Sequence, residues 1–139
     1  MRRTALKGVK NARRAPKGAK SVSTLKKELD RVYSIYIRRK YADANGFAEC
    51  FTCGVRKHWK ELQNGHYVSR AHNNTRFDDF NCHVQCMGCN VFKHGNMDMY
   101  ALRLREKYGE GILEELNRRK NIIKQFTQEE LRNLISAYA

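Results

Sequence analysis

Apolar residues first fall into a helical rhythm at Leu25, Leu29, Val32, Tyr33, Tyr36 and Ile37, in steps of three and four that place them on one face. Ser23 or Thr24 is the expected N-cap, and Gly46 the expected stop. The other face carries Arg31, Arg38, Arg39 and Lys40, which suit phosphate contact and an ordinary solvated surface equally. From Phe47 to Gly95 the rhythm fails, and Cys, His, Asn and Gly crowd together. Within this stretch Asn64-Gly65, followed by Tyr67 and Val68, reads as a turn feeding a strand. Helical spacing returns from Met97 through Tyr100, Leu102, Leu104 and Tyr108, halts at Gly109, and resumes at Ile112, Leu113 and Leu116. A capping box, Thr127 answered by Glu130, opens a last stretch with Leu131, Leu134, Ile135 and Tyr138. The pattern predicts an α+β fold, mainly helical: an N-terminal helix, an irregular middle, and two or three C-terminal helices packed on the first.

Charge changes this picture at one end. The chain has 139 residues, with 28 Lys and Arg against 14 Asp and Glu, a formal net charge of +14. That balance points to a polyanionic partner, with nucleic acid first and a membrane surface as the rival. Residues 1–20 hold eight of the basic residues, no acid and the only Pro, which predicts a disordered basic arm over residues 1–22 ahead of a single domain over 23–139. The arm reads as a phosphate-binding device without sequence preference or as a solubilising tail. No apolar run reaches the ~20 residues that span a bilayer, and no signal-peptide core follows the basic start. The expectation is a cytoplasmic protein without a membrane partner.

Five cysteines, an odd number, argue against a disulfide framework and for metal. Cys50-x-x-Cys53 and Cys86-x-x-Cys89 are two knuckles separated by 32 residues, the pattern that closes a tetrahedral structural zinc site. A redox CxxC is the competing reading of either pair alone. Cys82 is left over, either as a buried thiol or as a substitute ligand.

The long insert between the knuckles carries the candidate chemistry. Hydrolysis of a phosphodiester needs a base that titrates near neutrality, a cation on the phosphate and donors for the developing charge. His66 suits the base. If Asn90 opens a helix, Asn90 and His94 share a face, and an amide oxygen with an imidazole can hold a hard divalent ion such as Mg²⁺ or Mn²⁺. Arg70, Arg76 and Lys93 are the candidate DNA contacts, each of them equally readable as a surface charge. His58, His72 and His83 read as surface or structural histidines, with His83 the first to consider as a partner supporting a ligand.

This order, a CxxC, a strand His, a loop Asn, then C-x-x-C-Asn and a His, resembles the HNH branch of the His-Me finger nucleases over residues 50–95. The resemblance implies a zinc-stapled ββα-metal core in which His66 is the general base, Asn81 braces the loop, and Asn90 and His94 hold the catalytic ion. Many HNH enzymes place a metal ligand directly before the base, where this chain has Gly65. More narrowly, the stretch from Ser23 to Ala139 is similar to the NinG (Rap) family of lambdoid phages. The matching segments include Leu25-Lys26-Lys27-Glu28-Leu29-Asp30, Cys50-Phe51-Thr52-Cys53-Gly54, Gly65-His66-Tyr67-Val68-Ser69-Arg70, Asn81-Cys82-His83-Val84-Gln85-Cys86 and Cys89-Asn90. That similarity implies an endonuclease acting on D-loops and four-way junctions during phage recombination. Such a two-fold substrate would suit a homodimer. A non-specific or site-specific HNH nuclease and an inert zinc-stapled DNA-binding module stay open as alternatives. The zinc and the charge serve both classes, and only the trio His66, Asn90 and His94 favours an enzyme.

Overall fold

The computed structural model describes residues 19–139. The chain runs as α1 (Val22–Lys40), β1 (Phe47–Glu49), β2 (Arg56–His58), β3 (Gln63–His66), a single turn α2 (Asn73–Arg76), β4 (Cys82–Gln85), a π-helical turn (Gly88–Phe92), α3 (Met97–Tyr108), α4 (Ile112–Lys120) and α5 (Gln128–Tyr138). It is a mixed α+β fold, with roughly half of the described residues in helices. The expected arm lies outside the described residues as far as position 18, and its last two members, Ser21 and Val22, belong to α1 instead.

α1 starts earlier than its apolar rhythm because Ser21, not Ser23 or Thr24, is the N-cap. Its hydroxyl accepts from the Thr24 backbone N–H at 3.2 Å. The helix also ends before Gly46, at Lys40, where Arg38, Arg39 and Lys40 oppose the negative end of the helix dipole. Gly46, with φ +85°, instead makes the turn into β1. Leu25, Leu29, Val32, Tyr33 and Ile37 are buried, and most of this face packs with Cys82 and Leu131 into the first core. Leu134, Ile135 and Tyr138 of α5 close over it. Thr127 caps α5 by accepting from the Glu130 N–H at 3.1 Å.

Two antiparallel hairpins fill the middle. In one, Phe47 pairs with His58 and Glu49 with Arg56, and the first cysteine knuckle forms the bend. In the other, Gln63 pairs with Gln85, Gly65 with His83 and His66 with Cys82. Asn64-Gly65 therefore lies inside β3, not in the turn expected from its composition. Pairing with β4 decides its conformation. A separate core joins Tyr100 and Leu104 of α3 to Ile112 and Leu116 of α4, with Phe51 and Tyr67 packed against it.

The segment between β3 and β4, residues 67–81, is pinned from two sides. Asp79 accepts from Tyr33, from Tyr36 at 2.9 Å and from Lys40 at 3.0 Å, all on α1. Arg119 of α4 pairs with Asp78 at 2.7 Å, and Asn74 donates to the Arg119 carbonyl at 2.9 Å. The bonds that involve a charged partner are about twice as strong as neutral ones, so they fix the segment on both sides.

Candidate functional site

The two knuckles converge. The ligand atoms of Cys50, Cys53, Cys86 and Cys89 all lie within 4.8 Å of one another, close enough to hold a metal such as zinc. Backbone and side-chain donors point at the sulfurs: the Cys89 N–H reaches Cys86 Sγ at 3.4 Å, and Asn96 Nδ2 reaches Cys89 Sγ at 3.6 Å. A metal-bound thiolate is an acceptor that such donors satisfy. Cys82 stands apart, wholly buried in the first core, and burial pushes its thiol well above the usual range.

A cleft of about 720 Å³ opens between α1, β3 and the π-helical turn, and His66, Asn90 and His94 all line it. His66 is at the end of β3, with its Nε2 2.8 Å from the Arg76 carbonyl. A carbonyl only accepts, so Nε2 carries the proton and Nδ1 keeps a lone pair with no hydrogen-bond partner among the described residues. Burial lowers the His66 pKa from its ordinary value. The Arg70 guanidinium adds to this, against the Arg76 carbonyl and Asp30, which pull the other way. The ring is therefore neutral over a wider range than a free imidazole, as a general base requires.

Asn81, fully buried, spends its whole side chain on the 67–81 segment. Its Oδ1 accepts from the Val68 N–H at 2.7 Å, and its Nδ2 donates to the Val68 and Thr75 carbonyls, each at 3.0 Å. The same residue's carbonyl accepts from the Tyr67 N–H at 3.0 Å, directly beyond His66.

The helix expected to align Asn90 and His94 is only the π-helical turn, and it closes at Lys93. His94, Gly95 and Asn96 then take three consecutive left-handed conformations, with φ 50°, 92° and 50°. A non-glycine residue there costs roughly 1–2 kcal/mol. The run is held by the Gly95 N–H on the Cys89 carbonyl and by Gln85 Nε2 on the Gly95 carbonyl, both at 2.8 Å. His94 thus reaches the cleft by a backbone reversal, not along a shared helical face. Asn90 Nδ2 donates to Gln63 Oε1 at 2.7 Å, which leaves its carbonyl oxygen unspent.

The donor set of the cleft fits a weakly held divalent ion that keeps most of its waters. Asn90 and His94 give it one amide oxygen and one imidazole nitrogen, while the carboxylate that lines it, Asp30, is committed to Arg76 at 2.9 Å. Gly65 supplies nothing, and the reason is local: a Cβ at that position would overlap the Gln85 side chain.

Arg76 is not a free phosphate clamp. Its side chain is 15% exposed and forks onto Asp30 across the segment it anchors. Arg70, at 62% exposed and 3.8 Å from the same carboxylate, stays at the cleft wall, and Lys93 is exposed on the turn beside it. His58 accepts from the Lys60 N–H and so caps a 3-10 turn, Trp59–Glu61, and His72 lies at the start of α2. Three contributors carried no sequence signal. Asp30 and Gln63 look like ordinary polar positions, and Tyr100 like core, yet the Tyr100 hydroxyl lies 2.8 Å from the Gly65 carbonyl and 3.2 Å from that of Asn81. His83 backs it, with Nδ1 3.0 Å from the Tyr100 oxygen and Nε2 2.7 Å from that of Tyr108.

The geometry defines a small α+β protein with a four-thiol cluster that could hold a metal and a histidine-lined polar cleft. The family described as "Bacteriophage Lambda NinG protein" matches residues 1–139, and the chain belongs to the NinG family. Protein ninG of Escherichia phage 933W is 29% identical over 113 residues, covering 81% of this chain and 53% of that protein. Protein ninG of Salmonella phage P22 is 31% identical over 91 residues, 65% of this chain and 42% of that protein. The ninG protein of Escherichia phage lambda is 28% identical over 96 residues, 68% of this chain and 45% of that one. The chain thus spans about half the length of the curated relatives it matches. No solved structure matches it. Among the described residues no helix is long and apolar enough to cross a membrane.

Proposed function

We propose that this chain is a metal-dependent DNA endonuclease that cuts branched recombination intermediates, D-loops and four-way junctions, in the cytoplasm of a phage-infected cell. The observation that supports it most is His66: a half-buried neutral imidazole whose one nitrogen is tied to a carbonyl and whose other is unspent, in a cleft shared with Asn90 and His94. A histidine kept for packing alone would have both nitrogens satisfied, as His83 has.

In this reading His66 Nδ1 takes the proton from an attacking water, and the Arg76 carbonyl steadies the imidazolium that forms. Asn81 holds the 67–81 segment so that the ring does not swing. Arg70 meets a phosphate oxygen at the cleft wall, and Asn90 with His94 would hold the Mg²⁺ or Mn²⁺ ion. When bound, that ion supplies positive charge to the scissile phosphate and the leaving oxygen. The zinc of the cysteine cluster is structural and stays out of the chemistry.

A second reading, an inert zinc-stapled DNA-binding module, is favoured by Gln85 filling the space where a ligand on residue 65 would stand. Single-turnover cleavage of labelled four-way, nicked and linear DNA, with Mg²⁺ or Mn²⁺, separates the two. His66→Ala is expected to bind DNA and zinc as the wild type does and to cut slower by roughly 10² to 10⁴, the usual worth of a general base. Equal rates would reject His66 as the base, and no cutting by the wild type on any of the three DNAs would favour the module.

A further inference from the structure

The turn that brings Asn90 to the cleft also holds three apolar side chains in solvent: Met87 and Val91 are 50% exposed and Phe92 is 74% exposed. Met87 precedes Val91 and Phe92 by one turn, so the three share a flank. Polar residues would serve an ordinary surface turn better, and clustered exposed apolar side chains mark a surface made to be covered.

Charge says by what. Residues 80–97 contain no Asp or Glu, and exposed Lys93 follows Phe92 directly. Within the distance of one nucleotide, nucleic acid presents an apolar base face and an anionic phosphate, the complement of a phenyl ring next to an ammonium group. The position adds a second constraint, because Asn90 and His94, on either side of Phe92 in the chain, both line the cleft.

We propose that Phe92, supported by Val91, is a wedge that stacks on the base-pair face left open at a DNA branch, with Lys93 on the adjoining phosphate. This rests on the reading of the cleft as a DNA-cutting site. In linear duplex every base face is covered by its neighbour, so a wedge gains nothing without first unstacking a step. In the open form of a branch the terminal pairs of the arms are uncovered, and the same side chain stacks there without unstacking a duplex step. The wedge therefore supplies what His66 and a metal ion do not, a preference for branched over linear DNA.

The test uses the full chain with zinc bound and a four-way junction carrying 2-aminopurine at the branch, beside a linear duplex of the same sequence. Because Phe92 is exposed, Phe92→Ala is expected to keep the wild-type melting temperature. It should lose junction affinity on the order of ten-fold, as expected for one stacked base, and lose the 2-aminopurine emission change, while linear affinity holds. Phe92→Tyr, which keeps the ring, should retain both. Equal loss on both DNAs, or no loss on either, overturns the wedge. So does a wild-type dimer that Phe92→Ala converts to monomer, since the flank would then be an interface between copies. If the wild type discriminates junctions through Phe92 yet never cuts, the cleavage reading fails and the wedge stands. If it cuts and Phe92→Ala binds junctions normally, the wedge alone fails.

Discussion

At the scale of single residues, two histidines on facing strands show how environment divides one side chain into two uses. His66 and His83 lie on β3 and β4, one register step apart. His83 is fully buried, stacked on Phe51 at 4.1 Å, with Tyr100 and Tyr108 on its two nitrogens. The Tyr100 hydroxyl is directed at the Gly65 carbonyl, so His83 Nδ1 donates to it and Nε2 accepts from Tyr108. Burial pushes its pKa down to about 3, helped by the nearby Lys107 and Lys40. The sign follows from linkage. Below an ordinary value near 6.5 the unfolded chain takes a proton that the folded chain refuses until about 3. Stability is therefore full above the unfolded value and falls with pH, at about 1.4 kcal/mol per unit for this group. In an NMR titration the His83 ring resonances should stay at their neutral positions down to about pH 5, where a free histidine is already charged. A midpoint near the ordinary value would show that the tyrosine cage does not hold the neutral ring.

At the scale of elements, the four longer helices were legible because caps and apolar steps act locally. Leu25 to Ile37 and Leu131 to Tyr138 announce faces that do pack together. The site was legible as a set of residue types and only partly as geometry. Asn64-Gly65 carries turn composition, but Gln85 across the sheet needs the missing Cβ, so the pair is drawn into β3. Asn90 and His94 stand at helical spacing, but the second knuckle tightens the chain into a π-helical turn whose left-handed exit no pairwise spacing reveals. Arg76 looked free because its partner, Asp30, is 46 residues away. The knuckles depended on spacing alone and come together as read. Their metal should hold the two hairpins together, since a structural zinc contributes on the order of 10 kcal/mol, comparable to the whole stability of a small domain. Cys53→Ser is expected to lose both metal and cooperative melting. Cys82→Ser should keep the metal and lose only the roughly 1–3 kcal/mol of burying a hydroxyl in an apolar core. Metal content and thermal melting of the two proteins check this, and a metal-free Cys82→Ser would place the fifth cysteine in the cluster.

At the scale of the whole molecule, charge is divided between a body that holds every acid and still keeps half of the excess, and a segment that holds no acid at all. Within the body, cations are spent on acids: Arg76 on Asp30, Lys40 on Asp79, Arg119 on Asp78 and Glu115, Lys124 on Glu130, and Lys20 on Glu28. These pairs tie α1 to the 67–81 segment and α4 to its other side, so they serve the fold before any partner. The first 18 residues hold seven of the 28 Lys and Arg and none of the 14 Asp and Glu, which is half of the net charge of +14. If DNA is the partner, those seven are the cations with no internal acid in their own segment to compete with phosphate. Each phosphate contact on duplex DNA releases counterions with a log-log salt slope of roughly −0.9, so removing residues 1–18 should flatten the slope by several units. The loss should be the same for four-way and linear DNA, because backbone contacts carry no information about branching. Fluorescence anisotropy across a salt series, for the full chain and for residues 19–139, reads both quantities. An unchanged slope would leave the segment with solubility as its role, and a loss confined to the junction would mean that it reads DNA shape and not charge alone.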